Sequence, residues 1–296
     1  MPELPEVETV VRGLQAHLPG RSITGLRLGK TDFIDDPAAL EQILPGSRIL
    51  AVHRHGKFIV VHLEKPPTHQ TPAESSSMRF DFIVHLGMTG NLVVRPAGAP
   101  FPPHTHAWIS LDNGTELRYT DPRRFGRMLV LPQNDSAQIL GPLGLDPLEA
   151  TEEQFRTQLR TRRARIKAVL LDQRAFRGMG NIYTDESLWR ARIHPARIAA
   201  NLTREEMARL YRAAQTILRE AIRLGGSSIS DYVNADGEPG EFQIRHRVYG
   251  REGKKCSRCG ARIRRIVVAG RSSYFCPRCQ RAPRRKKNSE LRQEKK

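Results

Sequence analysis

Cys256-Ser-Arg-Cys-Gly-Ala-Arg-Ile-Arg-Arg-Ile-Val-Val-Ala-Gly-Arg-Ser-Ser-Tyr-Phe-Cys-Pro-Arg-Cys279 holds all four cysteines of a 296-residue chain. Two Cys-x2-Cys turns, sixteen residues apart, have the spacing of a zinc ribbon. Each turn aims two thiolates at one centre, and two such turns complete a tetrahedron. Gly260 follows the first pair, where the chain must turn tightly. Four thiolates leave no open coordination position, so the spacing predicts one structural Zn2+ held by Cys256, Cys259, Cys276 and Cys279. The alternative is two disulfides. The opening residues Met1-Pro2-Glu3-Leu4-Pro5-Glu6 are acidic and lack the apolar run of a secretory leader, which points to the cytoplasm, where disulfides are rare.

Outward from the cysteines the chain is strongly basic. Residues 251–296 carry 17 Lys and Arg against three acids, a net of +14 out of +18 for the whole chain, which leaves +4 for the first 250 residues. Arg258, Arg262, Arg264, Arg265, Arg271 and Arg278 lie within the cysteine module itself. A charge excess concentrated in this way implies a polyanionic partner. Residues 281–296, with Arg, Lys, Asn, Gln and Glu and almost nothing apolar, read as a disordered basic tail.

Upstream of the cysteine module at 248–280, residues 148–247 are helical. Thr151-Glu-Glu-Gln154 and Thr203-Arg-Glu-Glu206 are capping boxes. The second opens a helix with Leu210, Ala213, Ala214, Ile217, Leu218 and Ala221 on one face, stopped at Gly225-Gly226. Gly178-Met-Gly-Asn181 separates helical segments at 166–172 and 182–192. A Gly-x-Gly that opens a helix leaves backbone N–H groups free for a phosphate, although a plain helix–helix turn has the same pattern. Arg162, Arg163, Arg165, Lys167, Arg174 and Arg177 crowd the approach to it.

Residues 132–147, rich in Gly and Pro, read as a linker. Before them the pattern becomes short β-rich runs: 23–28, 48–53, 58–63, 80–86, 91–95, 107–111, 116–120 and 127–131. Asp112-Asn-Gly114 is a hairpin signal, and residues 65–78 read as an exposed Pro/Ser/Thr loop. Val7, Val10, Val11, Leu14 and Leu18 form the apolar stripe of a helix over 3–18, ended by Pro19-Gly20. The fold class is therefore α+β: an N-terminal helix with an antiparallel β-sandwich over 1–131, then a helical region and the zinc ribbon. With 39% hydrophobic residues the chain has enough apolar surface to fold, yet its longest apolar runs are only four to six residues, too short to cross a bilayer.

The motifs, taken in order, resemble those of the formamidopyrimidine-DNA glycosylases, bacterial enzymes of base excision repair. Pro2-Glu-Leu-Pro-Glu-Val-Glu-Thr9, His85-Leu-Gly-Met-Thr-Gly90, Tyr119-Thr-Asp-Pro-Arg-Arg-Phe-Gly126, Gly178-Met-Gly-Asn-Ile-Tyr183, Tyr249-Gly250 and the cysteine pairs carry the likeness over about residues 2–280. It implies a helix–two-turn–helix in the helical region and damaged double-stranded DNA as the partner of a monomer at the nucleoid. The implied activity removes oxidised purines and then cuts the strand. On this resemblance Pro2, once Met1 is removed, is the nucleophile. Glu3 is a general acid/base, and Glu6 supports the N-terminus. Lys57 and Arg271 assist catalysis and bind phosphate. His104, Arg123, Arg162 and Asn181 contact DNA, and Met88, Arg123 and Phe125 fill the gap left by the extruded nucleotide. From composition alone, Pro2 and Pro5 would be helix starters and nothing more. Endonuclease VIII, which has the same architecture but prefers oxidised pyrimidines, is the neighbouring alternative. A zinc-ribbon DNA-binding protein without catalysis is the alternative of another class.

Overall fold

The computed structural model describes residues 2–67, 77–229 and 231–282. Two compact units divide the chain, one built from 1–149, 173–179 and 218–245, the other from 150–172, 180–217 and 246–296. The tail expected to be disordered lies almost wholly outside the described residues, as does most of the Pro/Ser/Thr loop.

The first unit begins with α1 (Leu4–His17), whose Val7, Val10, Val11 and Leu14 are buried as the apolar stripe requires. Eight strands follow: β1 (Ile23–Leu28), β2 (Arg48–His55), β3 (Phe58–Lys65), β4 (Met78–His85), β5 (Asn91–Pro96), β6 (Thr105–Leu111), β7 (Thr115–Thr120) and β8 (Arg127–Pro132). They pair antiparallel in two four-stranded sheets of order β1-β6-β7-β5 and β2-β3-β4-β8. The apolar stripe of α1 shares one core with Ile49, Ile59, Val61, Phe82 and Val84 of one sheet and Leu92, Ile109, Leu117 and Tyr119 of the other. The sequence placed all eight strands to within a few residues. The edges of the exposed loop are the main shift, because Lys65 and Met78 are paired strand residues rather than loop.

Two helices of this unit were not read from the sequence. α2 (Pro37–Ile43) is capped by Asp36, whose carboxylate accepts from the Ala39 N–H at 3.0 Å, with Pro37 at the first helical position. The Asp-Pro signal was present, but seven residues are too few for a visible period. Within 132–147, read as a linker, lies α3 (Ala137–Leu140). Its Ile139 and Leu140 pack on Val60, Ile83 and Leu129, the outward face of the β2-β3-β4-β8 sheet. This explains why β3 and β4 are apolar on both faces instead of alternating.

The second unit contains α4 (Glu152–Arg160), α5 (Ile166–Leu171), α6 (Asn181–Ala191), part of α7 (Arg204–Arg223) and the hairpin of β9 (Arg264–Val268) with β10 (Arg271–Phe275). Both capping boxes form: Thr151 with Gln154, and Thr203 with Glu206. α7 ends as Gly225-Gly226 predicts. Gly226 N–H donates to Ala221 O and Gly225 N–H to Ile222 O, with both glycines at positive φ. No described helix is long and apolar enough to cross a membrane.

Candidate active site and thiolate cluster

The start of α1 is held by hydrogen bonds to residues far away in sequence. Pro2 is buried, and Glu3, the N-cap, is only 2% exposed. Glu3 N–H donates to Glu6 Oε2 at 2.9 Å, while Ser227 N–H donates to Glu6 Oε1 at 2.7 Å. One carboxylate, itself 1% exposed, therefore spans the N-cap and a loop more than two hundred residues on. Its charge also sits at the positive end of the helix. Tyr232 donates its hydroxyl to the Glu6 carbonyl at 3.1 Å. Burial, then the Glu6 charge, pushes that phenol far above its ordinary range, so it remains a donor. Leu4 N–H donates to Gly178 O at 2.9 Å. Gly178 has a φ of +86°, and a Cβ there would meet the Leu4 side chain at 2.8 Å. That close approach is why the Gly-x-Gly motif needs its first glycine.

Lys57 lies in the β2–β3 turn and is largely buried. The turn is drawn to the same loop, since a Cβ on Gly56 would lie 3.1 Å from Arg177 and 3.4 Å from Gly178 N. Gly178 thus bonds the start of α1 and lies close to the Lys57 turn. Arg54, which sequence reasoning passed over, braces this corner. Its guanidinium is 5% exposed and reaches Glu8 and Asp146, each at 2.8 Å, and the Gly56 carbonyl at 3.2 Å. Burial pushes Glu8 up, but the Arg54 and Arg12 guanidiniums outweigh it and hold the carboxyl below its ordinary value. The one sequence signal for Arg54 was its place three residues before Lys57.

Met88, Arg123 and Phe125 stand on two loops of this unit. Met88 is 38% exposed and Phe125 56%, and the Arg123 guanidinium lies 4.5 Å from the Phe125 ring centre. Asp121, fully buried, ties the loops together. Its Oδ1 accepts from the Thr89 hydroxyl at 2.6 Å and the Arg123 N–H at 3.2 Å. Its Oδ2 accepts from Gly126 N–H at 2.9 Å and the Tyr119 hydroxyl at 3.1 Å. Asp121 N–H also donates to the carbonyl of His104 at 3.0 Å, so the exposed His104, at positive φ, belongs to the same assembly. A Cβ on Gly87 would strike the Phe125 backbone at 2.3 Å, and one on Gly126 would strike the Tyr119 hydroxyl at 1.8 Å. The glycines flanking Met88 and Phe125 are therefore packing requirements. Gly87 N–H donates to His85 Nδ1 at 3.1 Å. Burial, then Lys57 and Arg127, lowers the His85 pKa to about 4, which keeps that nitrogen an acceptor.

In the second unit, Asn181 is the first residue of α6, and among the described residues its buried Oδ1 has no hydrogen-bond partner. Arg162 is less free than expected: its guanidinium bonds the Gln158 carbonyl at 2.9 Å and the Gln158 side chain. Arg271 opens β10 and is exposed beside the hairpin turn. The strand that carries it is fastened by a buried ion pair. Lys167 and Asp185, both fully buried, meet at 2.7 Å; Lys167 Nζ donates to Ser272 O at 2.6 Å, and Tyr274 N–H donates to Asp185 at 2.9 Å. Burial pushes the Asp185 carboxyl up against the pull of Lys167 and of the Tyr274 N–H. Next to it, Glu186 Oε1 accepts the N–H groups of Arg247, Val248 and Tyr249 at 2.9–3.0 Å. These two carboxylates were not singled out in the sequence. The four cysteine Sγ atoms lie within 4.8 Å of one another. Thiolates around a zinc ion at about 2.3 Å fall within that span, so the cluster fits zinc.

Comparison with known proteins agrees with this arrangement. Residues 1–128 match the family model of the formamidopyrimidine-DNA glycosylase N-terminal domain, 143–233 that of the formamidopyrimidine-DNA glycosylase H2TH domain, and 253–282 that of a zinc finger found in FPG and IleRS. The formamidopyrimidine-DNA glycosylase of Pelotomaculum thermopropionicum is 44% identical over 287 residues, covering 95% of this chain and 99% of that protein. The crystal structure of the MutM (Fpg) protein from Thermus thermophilus is 42% identical with a TM-score of 0.80, covering 94% of this chain and 98% of that one. Lactococcus lactis Fpg in complex with abasic-site DNA is 34% identical with a TM-score of 0.83, covering 95% and 100%. On these grounds, and on motifs that run in the same order from the buried helix start to the thiolate cluster, the chain belongs to the formamidopyrimidine-DNA glycosylase family.

Proposed function

We propose that the chain is a bifunctional DNA glycosylase and AP lyase that removes oxidised purines, 8-oxoguanine and formamidopyrimidines, from duplex DNA. The observation that supports this is the Glu3–Glu6–Ser227 clasp, which fastens the start of α1, where Pro2 is buried, to the loop at Ser227. Removal of Met1 frees the Pro2 nitrogen as a secondary amine. Its pKa, near the ~8 of an α-amine, leaves a useful neutral fraction at physiological pH. That lone pair attacks C1′ of an extruded nucleotide, and the bond to the base breaks. Glu3 delivers a proton to the sugar ring oxygen as the ring opens to the iminium. The iminium acidifies the C2′ proton. Loss of that proton expels the 3′ phosphate, and a second elimination expels the 5′ phosphate, which leaves a one-nucleotide gap. Glu6 positions the N-cap.

Lys57 and Arg271 hold the flanking phosphates, and His104, Arg123, Arg162 and Asn181 contact the DNA. Arg162 must first leave Gln158. Met88, Phe125 and the Arg123 guanidinium replace the stacking and pairing that extrusion removes. One structural zinc, bound by the four cysteines, shapes the hairpin that presents Arg271. The parts divide as a catalytic region over 1–131, a helical DNA-binding region over 148–247, the ribbon over 248–280 and a basic tail, in a cytoplasmic monomer at the nucleoid.

Borohydride trapping on a duplex with 8-oxoguanine opposite cytosine is the test. A covalent adduct mapped to the Pro2 peptide is expected, lost when Met1 is retained. An adduct mapped elsewhere, or DNA binding without any adduct, rejects the mechanism. Faster trapping on thymine glycol than on 8-oxoguanine rejects the purine preference alone.

A further inference from the structure

A cavity of about 510 Å3 in the second unit is lined by Trp189, Arg190, Arg247, Ser257 and Arg258. None of these residues has a role in the chemistry above. Trp189 and Arg190 lie in the last turn of α6, Arg247 precedes the Tyr249-Gly250 turn, and Ser257 and Arg258 lie between the cysteines of the first knuckle. Arg258 is fixed: its guanidinium lies 4.2 Å from the centre of the Trp189 ring, and Nη1 donates to the Trp189 carbonyl at 3.1 Å. Arg190 and Arg247 are exposed, and the lining contains no carboxylate. Glu186 is the nearest acid in sequence to Arg190, and its carboxylate already accepts three backbone N–H groups. The three arginines line one volume, and the Glu186 charge that acts on Arg247 lies outside that lining, which leaves an excess of positive charge there for an anion to meet.

We infer that this cavity is a second phosphate-binding site, which takes a backbone phosphodiester of DNA beyond those flanking the lesion. This rests on the reading of the chain as a DNA-acting enzyme. Three guanidiniums and a hydroxyl match a phosphate's oxygens, and guanidinium is the group suited to bidentate phosphate contact. An acidic peptide would need an apolar foothold, and the one aromatic face here is already covered by Arg258.

Position gives the site its meaning. Asn181 opens α6 and Arg190 lies nine residues further on, so a rise of ~1.5 Å per residue separates them by roughly 14 Å. Arg271 stands at the turn end of β10, and Cys276 follows its other end, so at ~3.3 Å per residue the hairpin turn and the cysteine cluster are roughly 17 Å apart. Both paths place the arginines at the far end of their element from the proposed lesion-side contacts. Along a duplex this is about four to five base pairs at ~3.4 Å each. The site would therefore grip undamaged DNA on one flank.

Trp189 supplies a direct readout. The other tryptophan, Trp108, has a buried indole N–H without a partner among the described residues, so Trp108→Phe costs no hydrogen bond there and leaves Trp189 as the only tryptophan. Pyrophosphate titrated into Trp108→Phe protein should change Trp189 emission saturably, and Arg190→Gln with Arg247→Gln should abolish the change. No response to pyrophosphate overturns the proposal. The second arm uses a long lesion duplex of about 25 base pairs and a short one cut back to about two base pairs beyond the lesion on the gripped flank. On the long duplex the double variant should bind 3–10-fold more weakly at ~0.1 M salt, and its log–log salt slope should fall by about 0.9 for each phosphate that it no longer neutralises. On the short duplex it should bind as the parent does. Equal losses on both lengths, or none on either, overturn the assignment. A response to pyrophosphate without a dependence on length leaves a site for free phosphate compounds and rejects the DNA contact. Arg190 and Arg247 are chosen because Arg258 also braces Trp189. Trapping on the short duplex keeps the two readings apart: if it fails in the parent protein, the glycosylase reading falls; if it succeeds, only this inference is at stake.

Discussion

The start of α1 and the cysteine ribbon each hold a residue expected to meet the damaged nucleotide, but they hold it by opposite means. Around Pro2 the fixing is spread over many weak parts: the Glu6 carboxylate, the Ser227 and Leu4 N–H groups, the Tyr232 hydroxyl, and glycines that allow close approach. Around Arg271 it is concentrated in four thiolates and one buried ion pair. The ribbon is small, and its apolar residues Val248 and Ile263, with the cysteines, share a cluster with Trp189 of α6. A module of that size cannot fold on its core alone. The α1 end rests on the large sandwich core and needs only local adjustment.

The comparison breaks most visibly if metal proves unnecessary. Metal binding supplies about 10–16 kcal/mol in isolated zinc-finger peptides. Chelation, or Cys276→Ala, should therefore unfold residues 253–280 while the sandwich stays intact. Hydrogen exchange reads this directly: amides of β9 and β10 should lose protection, and those of β3 and β4 should keep it. Persistent protection in the hairpin without metal would show that the ribbon, too, is held by dispersed contacts.

Legibility in the sequence follows the same division. The ribbon could be read because its ligands are chemically unusual and close together. The strands could be read because a sheet face imposes a short period, and the two glycines that end α7 because only that residue suits their φ. Of the supports of Pro2 the resemblance gave Glu6, but its partners Ser227 and Tyr232 could not be read, since they lie more than two hundred residues away and are chemically ordinary. Lys167 reads in the sequence as one of the basic residues suited to a DNA backbone, yet it is fully buried against Asp185, which reads as an unremarkable helix residue. Only the fold brings them together in a dry interior. Resemblance named roles for Pro2, Lys57 and Arg271 but gave none to Arg54, Asp185 or Asp121, the last of which lies inside the 119–126 motif.

The ion pair gives the next largest effect. Lys167→Met leaves Asp185 buried without its cation and should cost about 3–5 kcal/mol in the second unit. Lys167→Met with Asp185→Leu should recover much of that, because the desolvation cost disappears with both charges. Urea unfolding of the three proteins compares them. A double variant no more stable than the single would show that the bonds to Ser272 and Tyr274, rather than the pairing of charges, hold β10.

At the α1 end a backbone contact should matter at a smaller scale. Gly178→Ala places a methyl 2.8 Å from Leu4 at a φ of +86°, so strain and overpacking together should cost about 2–4 kcal/mol. Because Gly178 bonds Leu4, two residues from Pro2, and lies close to the Lys57 turn, trapping of Pro2 should slow more than the melting temperature alone predicts. Single-turnover trapping well below the melting transition measures this. A rate unchanged in a destabilised variant would mean that Glu6 alone places the N-terminus.

The smallest effect concerns pH. His85 has its folded pKa lowered to about 4, below its ordinary 6.5, because burial and the cations Lys57 and Arg127 oppose its charge. The sign follows from linkage: the fold prefers the neutral ring, so the stabilisation is complete above pH 6.5 and is lost as pH falls through about 4. After allowance for the solvent that reaches this partly exposed ring, the loss is on the order of 1 kcal/mol. It should be local as well, because a proton on Nδ1 ends its acceptance of the Gly87 N–H and loosens the loop that carries Met88. The His85 ring resonances should titrate near pH 4, and Gly87 amide exchange, corrected for its intrinsic pH dependence, should quicken over the same range. Titration near 6.5 would mean that the Met88 loop is open in solution, and the contrast between a rigid α1 end and a metal-dependent ribbon would then need a third, mobile element.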